Sequence, residues 1–92
     1  MIRSFRCKDT QALFEGGHLK RFRAIETVAT PQFAMLDAAK TLDFMRSPPG
    51  NRLESLRGDR AGRWSVRINY QWQVCFVWTD AGSDEVEIVD YH

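Results

Sequence analysis

The sequence predicts an α+β domain in which an N-terminal helical layer packs on a small, mainly antiparallel β-sheet, all within residues 1–92. In the first half, apolar residues recur at spacings of three and four, which is the period of an amphipathic helix. In the second half, apolar and polar residues alternate, which is the period of a strand with one buried face. The segment Ser47–Asn51 contains two prolines and a glycine and separates the two patterns.

The N-terminal half is expected to contain one short strand and two helical segments. Residues Ile2–Phe5 alternate apolar and polar side chains and predict a strand that joins the sheet. Asp9 is the expected N-cap of a short helix that ends at the glycine pair beginning with Gly16. A longer helical segment is predicted over Leu19–Ala39. Pro31 should kink or break it, because a proline inside a helix removes one hydrogen bond and clashes with the previous turn.

The C-terminal half predicts a β-meander. Its clearest feature is a hairpin in which Trp64–Asn69 and Gln71–Trp78 flank a turn at Asn69–Tyr70. All three tryptophans share the apolar register, so we expect them in the core rather than on an RNA-stacking surface. Leu53–Leu56 predicts a strand before the hairpin, and Val86–Val89 predicts the last strand after a turn.

Charge is distributed unevenly, although the net charge is only +1. Residues 44–79 contain six arginines and two acidic residues, whereas residues 80–92 contain five acidic residues and no lysine or arginine. One interpretation is charge balance across a small sheet. The other is a phosphate-binding surface with a catalytic acid or base beside it.

The chain ends in Asp90-Tyr91-His92, three side chains that take part in proton transfer or orient a group that does. The unperturbed pKa of histidine, about 6.5, suits either an acid or a base near neutral pH. Strict alternation places Asp90 and His92 on the opposite sheet face from Tyr91, unless the strand ends before Asp90. The polar face of the sheet is expected to display the following residues: Ser65, Arg67, Gln73, Cys75, Glu87 and Tyr91.

Composition also sets an expectation for the compartment. No apolar run is long enough to span a membrane, and Met1 is not followed by an export signal. With only Cys7 and Cys75, we expect a cytoplasmic protein with reduced thiols, although one Cys7–Cys75 disulfide is an open alternative. No histidine and cysteine cluster has metal-ligand spacing, so we assign neither a metal nor a cofactor.

Several short motifs, taken together, resemble the HigB toxins, a branch of the RelE superfamily of bacterial toxin–antitoxin systems. They are Arg52-Leu53, Leu56-Arg57-Gly58-Asp59-Arg60, Ser65-Val66-Arg67-Ile68-Asn69 and the terminal Asp90-Tyr91-His92. The resemblance implies a ribosome-dependent endonuclease that cuts mRNA in the ribosomal A site without a metal. It also implies neutralisation by a helix-turn-helix antitoxin, which alone would contact operator DNA.

The resemblance assigns roles residue by residue. Asp90, Tyr91 and His92 match the catalytic cluster of the family. Glu54 stands where some members have a catalytic histidine, so it is a further acid–base candidate. The RNA- and phosphate-binding candidates are Arg57, Arg60, Arg67 and Gln73. Arg57 stands at a basic position of the family, and Gln73 stands where many members have an arginine.

Cleavage of RNA by its own 2′-hydroxyl needs a base, an acid for the departing 5′-oxygen and a cation for the charge at phosphorus. The candidate residues supply all three kinds of group. A competing hypothesis is a non-catalytic RNA- or ribosome-binding module, and a third is a domain that serves only as the folding partner of another chain. Expression of the chain without its partner, followed by mapping of mRNA 5′ ends, distinguishes these hypotheses.

Overall fold

Two α-helices precede a four-stranded antiparallel sheet in the computed structural model, which describes residues 1–47 and 49–90. The α-helices are α1 (Lys8–Phe14) and α2 (Glu26–Ala38), and short 3-10 helices cover Lys20–Ile25, Leu42–Arg46, Pro49–Asn51 and Gly58–Arg60. The strands are β1 (Glu54–Ser55), β2 (Arg63–Arg67), β3 (Trp72–Thr79) and β4 (Gly82–Asp90), in that order across the sheet. Each neighbouring pair is antiparallel. The predicted fold class is confirmed.

The core lies between the helical layer and one face of the sheet. Large side chains from the helical half, such as Phe22, Phe33 and Leu36, are fully buried against sheet residues such as Phe76 and Val86. Burial of one such side chain contributes about 1.5–3 kcal/mol. The three tryptophans pack against this core, as their shared register predicts.

The N-terminal segment runs beside β4 but is not a continuous strand, so the prediction of a strand over Ile2–Phe5 is wrong. It forms two isolated parallel bridges, from Ile2 to Ser83 and from Phe5 to Val86. Between them, Glu85 has a left-handed backbone with φ +52°. Such a conformation bends the strand and interrupts a regular ladder.

The structure differs from two helix predictions, the N-cap at Asp9 and the break that was one of the two outcomes expected at Pro31. Cys7, not Asp9, is the N-cap of α1, and the Asp9 carboxylate accepts a hydrogen bond from Arg21 at 2.9 Å. The second helical segment changes from 3-10 to α at Glu26, and α2 continues through Pro31. Pro31 removes one hydrogen bond, to the carbonyl of Thr27, and both residues are exposed, so water can replace that bond.

The predicted hairpin is confirmed, but residues 68–71 connect its strands instead of a two-residue turn. The Asn69 carboxamide oxygen accepts hydrogen bonds from the backbone N–H groups of Gln71 and Trp72, both at 2.8 Å, which shapes the longer turn. The strand expected over Leu53–Leu56 is reduced to β1, and the last strand is longer than expected. Cys7 and Cys75 are both free, so no disulfide joins them.

No helix in the described residues is long and apolar enough to cross a membrane.

Candidate functional site

Strand register places the predicted polar side chains in two rows on one face of the sheet, which we call the polar face. In the first row, Glu54 lies opposite Ser65, which in turn lies opposite Cys75. In the second row, Arg67 lies opposite Gln73. Diagonal neighbours across two strands are roughly 7–8 Å apart, so Glu54 and Arg67 lie within reach of one bound phosphodiester.

A pocket of about 330 Å³ opens on this face. Its lining residues are Arg52, Glu54, Ser65, Arg67, Tyr70 and Gln73. Two arginines and one carboxylate give the pocket a net charge of +1, and both arginines have fixed positive charges at neutral pH. The arrangement therefore suits an anionic ligand that also presents a proton to a carboxylate.

Arg52 is held in the pocket wall by an unusual backbone. It has φ +46°, which is rare for a residue with a side chain. If the register of β1 with β2 is continued by two residues, Arg52 lies level with Arg67. The preceding residue, Asn51, is buried, donates a hydrogen bond to the carbonyl of Met45 at 3.1 Å and accepts one from Gln32 at 3.3 Å.

Gln32 connects the same network to β2. Its amide nitrogen donates to the carbonyl of Arg67 at 2.6 Å, and its side chain is buried. The Arg67 guanidinium Nε donates to the carbonyl of Asn69 at 3.1 Å. Gln32 therefore binds the Arg67 backbone directly and also binds the side chain of Asn51, the residue that precedes Arg52.

Two of the other central arginines form ion pairs with acidic residues of β4. Arg63 is buried and pairs with Glu85 at 3.0 Å, and Arg60 pairs with Glu87 at 3.8 Å. Arg60 also lies against the Cys75 thiol at 3.8 Å. The charge-balance interpretation therefore describes Arg60 and Arg63, whereas Arg52 and Arg67 line the pocket and fit the phosphate interpretation.

The Cys75 thiol on this face is not a reactive group at neutral pH. Burial raises its pKa to about 11, which Glu87 reinforces and Arg60 partly opposes. A cysteine is nucleophilic as the thiolate, so Cys75 stays protonated and inert.

Asp90 lies on the opposite face from the pocket. It pairs in register with Trp72, whose side chain packs against the core. The strand includes Asp90, so the alternation left open by the sequence continues through this residue. The Asp90 carboxylate accepts a hydrogen bond from the Gln71 amide at 3.0 Å, which ties the end of β4 to the β2–β3 turn. The other two members of the predicted triplet, Tyr91 and His92, lie outside the described residues.

The pocket thus brings together three of the predicted site residues, Glu54, Arg67 and Gln73. Arg57 is exposed and precedes the 3-10 helix over Gly58–Arg60, outside the pocket lining, as is Arg60 itself. In the residues that the structure describes, no group of three or more histidine, cysteine or acidic side chains is arranged to hold a metal ion.

Sequence reasoning missed two lining residues, Arg52 and Tyr70. The motif Arg52-Leu53 contains Arg52 but assigns it no role. The hairpin pattern predicts Tyr70 only as a turn residue. The available indication for Tyr70 is that an aromatic side chain stands in a polar turn, outside the apolar register of both neighbouring strands. Such a side chain is not expected in the core.

Comparisons with known proteins agree with the fold and with the resemblance. The solved structure of YafQ from E. coli has a TM-score of 0.66 to this chain at 13% identity, covering 99% of this chain and 92% of YafQ. A YoeB/ParE toxin from Agrobacterium tumefaciens has a TM-score of 0.54 at 16% identity, covering 99% and 98%. At these identities the likeness concerns the fold alone.

Sequence comparison is more specific. Toxin HigB-1 of Vibrio cholerae is 40% identical over 57 residues, which cover 62% of this chain and 60% of that protein. Endoribonuclease HigB of Proteus vulgaris is 27% identical over 93 residues, which cover both chains fully. The family of RelE-like HigB toxins of type II toxin–antitoxin systems matches residues 3–92. This chain therefore belongs to the HigB-like toxin family.

Proposed function

We propose that this protein is a ribosome-dependent endoribonuclease that cleaves mRNA in the ribosomal A site and thereby inhibits translation. The observation that carries the proposal is one pocket lined by Glu54 together with two arginines, the exposed Arg52 and the half-buried Arg67. Membership in the HigB-like toxins and the full-length likeness to an endoribonuclease support it.

In the proposed reaction, Glu54 accepts the proton of the RNA 2′-hydroxyl. The 2′-oxygen then bonds to phosphorus and the bond from phosphorus to the 5′-oxygen breaks, leaving a 2′,3′-cyclic phosphate. His92 donates the proton that the departing 5′-oxygen requires, which makes a 5′-hydroxyl. Arg52 and Arg67 bind the phosphate oxygens as negative charge accumulates there.

The other predicted residues have supporting roles in this proposal. Gln73 donates a neutral hydrogen bond to a phosphate oxygen beside Arg67. Arg57 contacts a neighbouring phosphate. Tyr91 donates a hydrogen bond or stacks on a base, and Asp90 positions the β2–β3 turn through Gln71. Arg60 contributes less, because Glu87 already neutralises its charge.

Dependence on the ribosome follows from the small number of available cations. Non-specific affinity for RNA grows with the number of phosphates that a protein neutralises, and this pocket offers two arginines. The small ribosomal subunit would position the mRNA and raise its local concentration, which contributes several kcal/mol to lowering a barrier.

The family implies a cognate antitoxin as partner. We propose that this antitoxin is a helix-turn-helix protein, that operator DNA is contacted only through it, and that the toxin acts in the cytoplasm where ribosomes are. A neighbouring gene for a helix-turn-helix protein of similar size would support this partner.

The experiment is to express the chain without its antitoxin and to map mRNA 5′ ends, followed by cleavage assays on programmed ribosomes and on the same free transcript. Wild type should arrest growth and produce new 5′-hydroxyl ends within translated codons, on ribosomes but hardly on free RNA. Glu54→Gln should lose about 100-fold or more in single-turnover cleavage. Glu15→Gln, an exposed glutamate of the α1 C-cap outside the pocket, is the matched control.

The second candidate function is a non-catalytic or attenuated RNA- or ribosome-binding module. It is favoured by Gln73, which supplies no charge to the pocket. Ribosome binding without new 5′ ends would establish this alternative. Efficient cleavage of free RNA would contradict the proposed dependence on the ribosome.

A further inference from the structure

Tyr70 differs from the other large aromatic side chains of the sheet. The tryptophans of β2 and β3 pack against the core, and Trp72 contacts Phe22 edge-to-face, with ring centroids 5.8 Å apart. Tyr70 is 70% exposed, which is the highest value for a large apolar side chain in the described part of the chain. It also lines the pocket that contains Arg52 and Arg67.

The turn that carries Tyr70 is held firmly on both sides. The Asn69 side chain accepts two backbone hydrogen bonds within the turn, and the Ile68 N–H donates to the carbonyl of Trp72 at 2.9 Å. Gln71 is tied to the end of β4 through Asp90. An exposed ring on a well-ordered turn loses little conformational entropy when it binds a ligand.

Arg52 lines the same pocket from the segment just before β1. Its left-handed backbone directly follows the buried, hydrogen-bonded Asn51, and such outliers concentrate at functional sites. The pocket therefore combines one exposed ring with two guanidinium groups. An aromatic face beside cations is the arrangement that binds single-stranded nucleic acid, because every base has a stacking face and every nucleotide a phosphate.

We propose that Tyr70 stacks on one unpaired nucleobase of single-stranded RNA while Arg52 and Arg67 bind the adjacent phosphate. The inference rests on the proposed function and deepens it by naming the form of substrate: a strand from which one base is turned out of its stack. A base inside a duplex is already paired and stacked, so duplex RNA should bind without engaging Tyr70. Recognition by stacking tolerates all four bases.

The test uses the full chain and a short single-stranded RNA that contains one 2-aminopurine, with a 2′-deoxy nucleotide at that position to prevent cleavage. Stacking quenches 2-aminopurine fluorescence and therefore reports stacking, while retention of the RNA with the protein on a filter reports binding. Wild type and Tyr70→Phe should quench the probe. Tyr70→Leu should lose the quenching and bind roughly tenfold more weakly, since one base–aromatic stack contributes that much or more.

Phe44→Leu is the matched control, because Phe44 is an exposed aromatic residue, 45% exposed, outside the pocket lining. It should quench and bind as wild type does. Thermal melts of all variants establish that each is folded, and the Phe variant shows whether a ring alone restores the effect. Annealing the probe to its complement should abolish the dependence on Tyr70.

Failure of this inference is distinguishable from failure of the proposed function. If Tyr70→Leu binds and quenches like wild type while wild type still cleaves mRNA on ribosomes, the stacking role is wrong and the nuclease stands. If quenching depends on Tyr70 but no variant cleaves, the stacking role stands and the non-catalytic alternative applies. If Tyr70→Leu weakens filter-measured binding of the duplex as much as that of the single strand, the claim that an unpaired base is required is wrong.

Discussion

Replacing Asn51 by alanine should destabilise the protein and disorder one wall of the pocket. Asn51 is 5% exposed, and its two hydrogen bonds, to Met45 and from Gln32, lie in the interior. The substitution removes both bonds and leaves the Met45 carbonyl without that donor. Loss of a typical hydrogen bond costs about 1 kcal/mol, and an unsatisfied buried group costs about 1–3 kcal/mol. We therefore expect a loss of about 2–3 kcal/mol in the free energy of unfolding.

For a domain of this size, that loss corresponds to a Tm lower by roughly 10–20 °C. The measurement is denaturant and thermal unfolding of wild type and Asn51→Ala. Gln11→Ala is the control, because it also removes a carboxamide hydrogen bond, to Glu15 at 3.1 Å, but on the exposed side of α1. Its effect should stay within about 0.5 kcal/mol.

The functional consequence is separable from stability. In Asn51→Ala, the residue before Arg52 loses both of its side-chain hydrogen bonds. We therefore expect Arg52 to be less well positioned and RNA affinity to fall, even at temperatures where the variant is fully folded. Two results would refute the reasoning: unfolding free energy within 0.5 kcal/mol of wild type, or unchanged RNA affinity in a clearly destabilised variant. The first result would show that the buried hydrogen bonds of Asn51 do not stabilise the protein. The second would show that they do not affect RNA binding in the pocket.

Three further predictions concern single positions. Gln73→Arg should raise single-turnover cleavage on ribosomes, because a charge-assisted bond to phosphate is roughly twice as strong as a neutral one. Gln73→Ala should change the cleavage rate little. An Arg variant that is no faster would leave Gln73 without a role. Deleting His92 should lower the cleavage rate by about 100-fold or more while the thermal melt barely changes. Tyr91→Phe measures the contribution of the tyrosine hydroxyl. Wild-type cleavage rates after the deletion would mean that the terminal residues are not catalytic. Burial raises the folded-state pKa of Cys75 to about 11 from an ordinary 9.0. The unfolded chain therefore loses the thiol proton first, and the stability linked to this proton is complete below pH 9. It is lost, by up to about 2 kcal/mol, as pH rises towards 11. Urea unfolding across this range should show a shallower pH dependence in Cys75→Ala, and identical slopes would contradict the assignment.

Much of the fold follows from local sequence patterns. Periods of 3.6 and 2 are properties of neighbouring residues, so the order of helices and strands, the hairpin and the core position of the tryptophans were predictable. The same alternation correctly placed Arg67 and Gln73 on one face. Predictions failed where the surroundings of a residue override its local preference. Pro31 is accommodated inside α2 because its turn is exposed, and Asp9 pairs with Arg21 instead of capping a helix.

The candidate site depended more on tertiary structure. The sequence by itself determined that arginines and a carboxylate share the second half of the chain, and its motifs identified the family. It did not determine which arginines are available, because ion pairing depends on strand register: β4 brings Glu85 and Glu87 to Arg63 and Arg60, and leaves Arg67 to the pocket. Nor did it place Arg52 and Tyr70 together, since these residues are 18 positions apart in the sequence. They line one pocket because β1 pairs antiparallel with β2, which brings the segment before β1 towards the turn after β2. A one-dimensional pattern specifies which face a side chain takes, and pairing between distant strands decides which charges meet on that face.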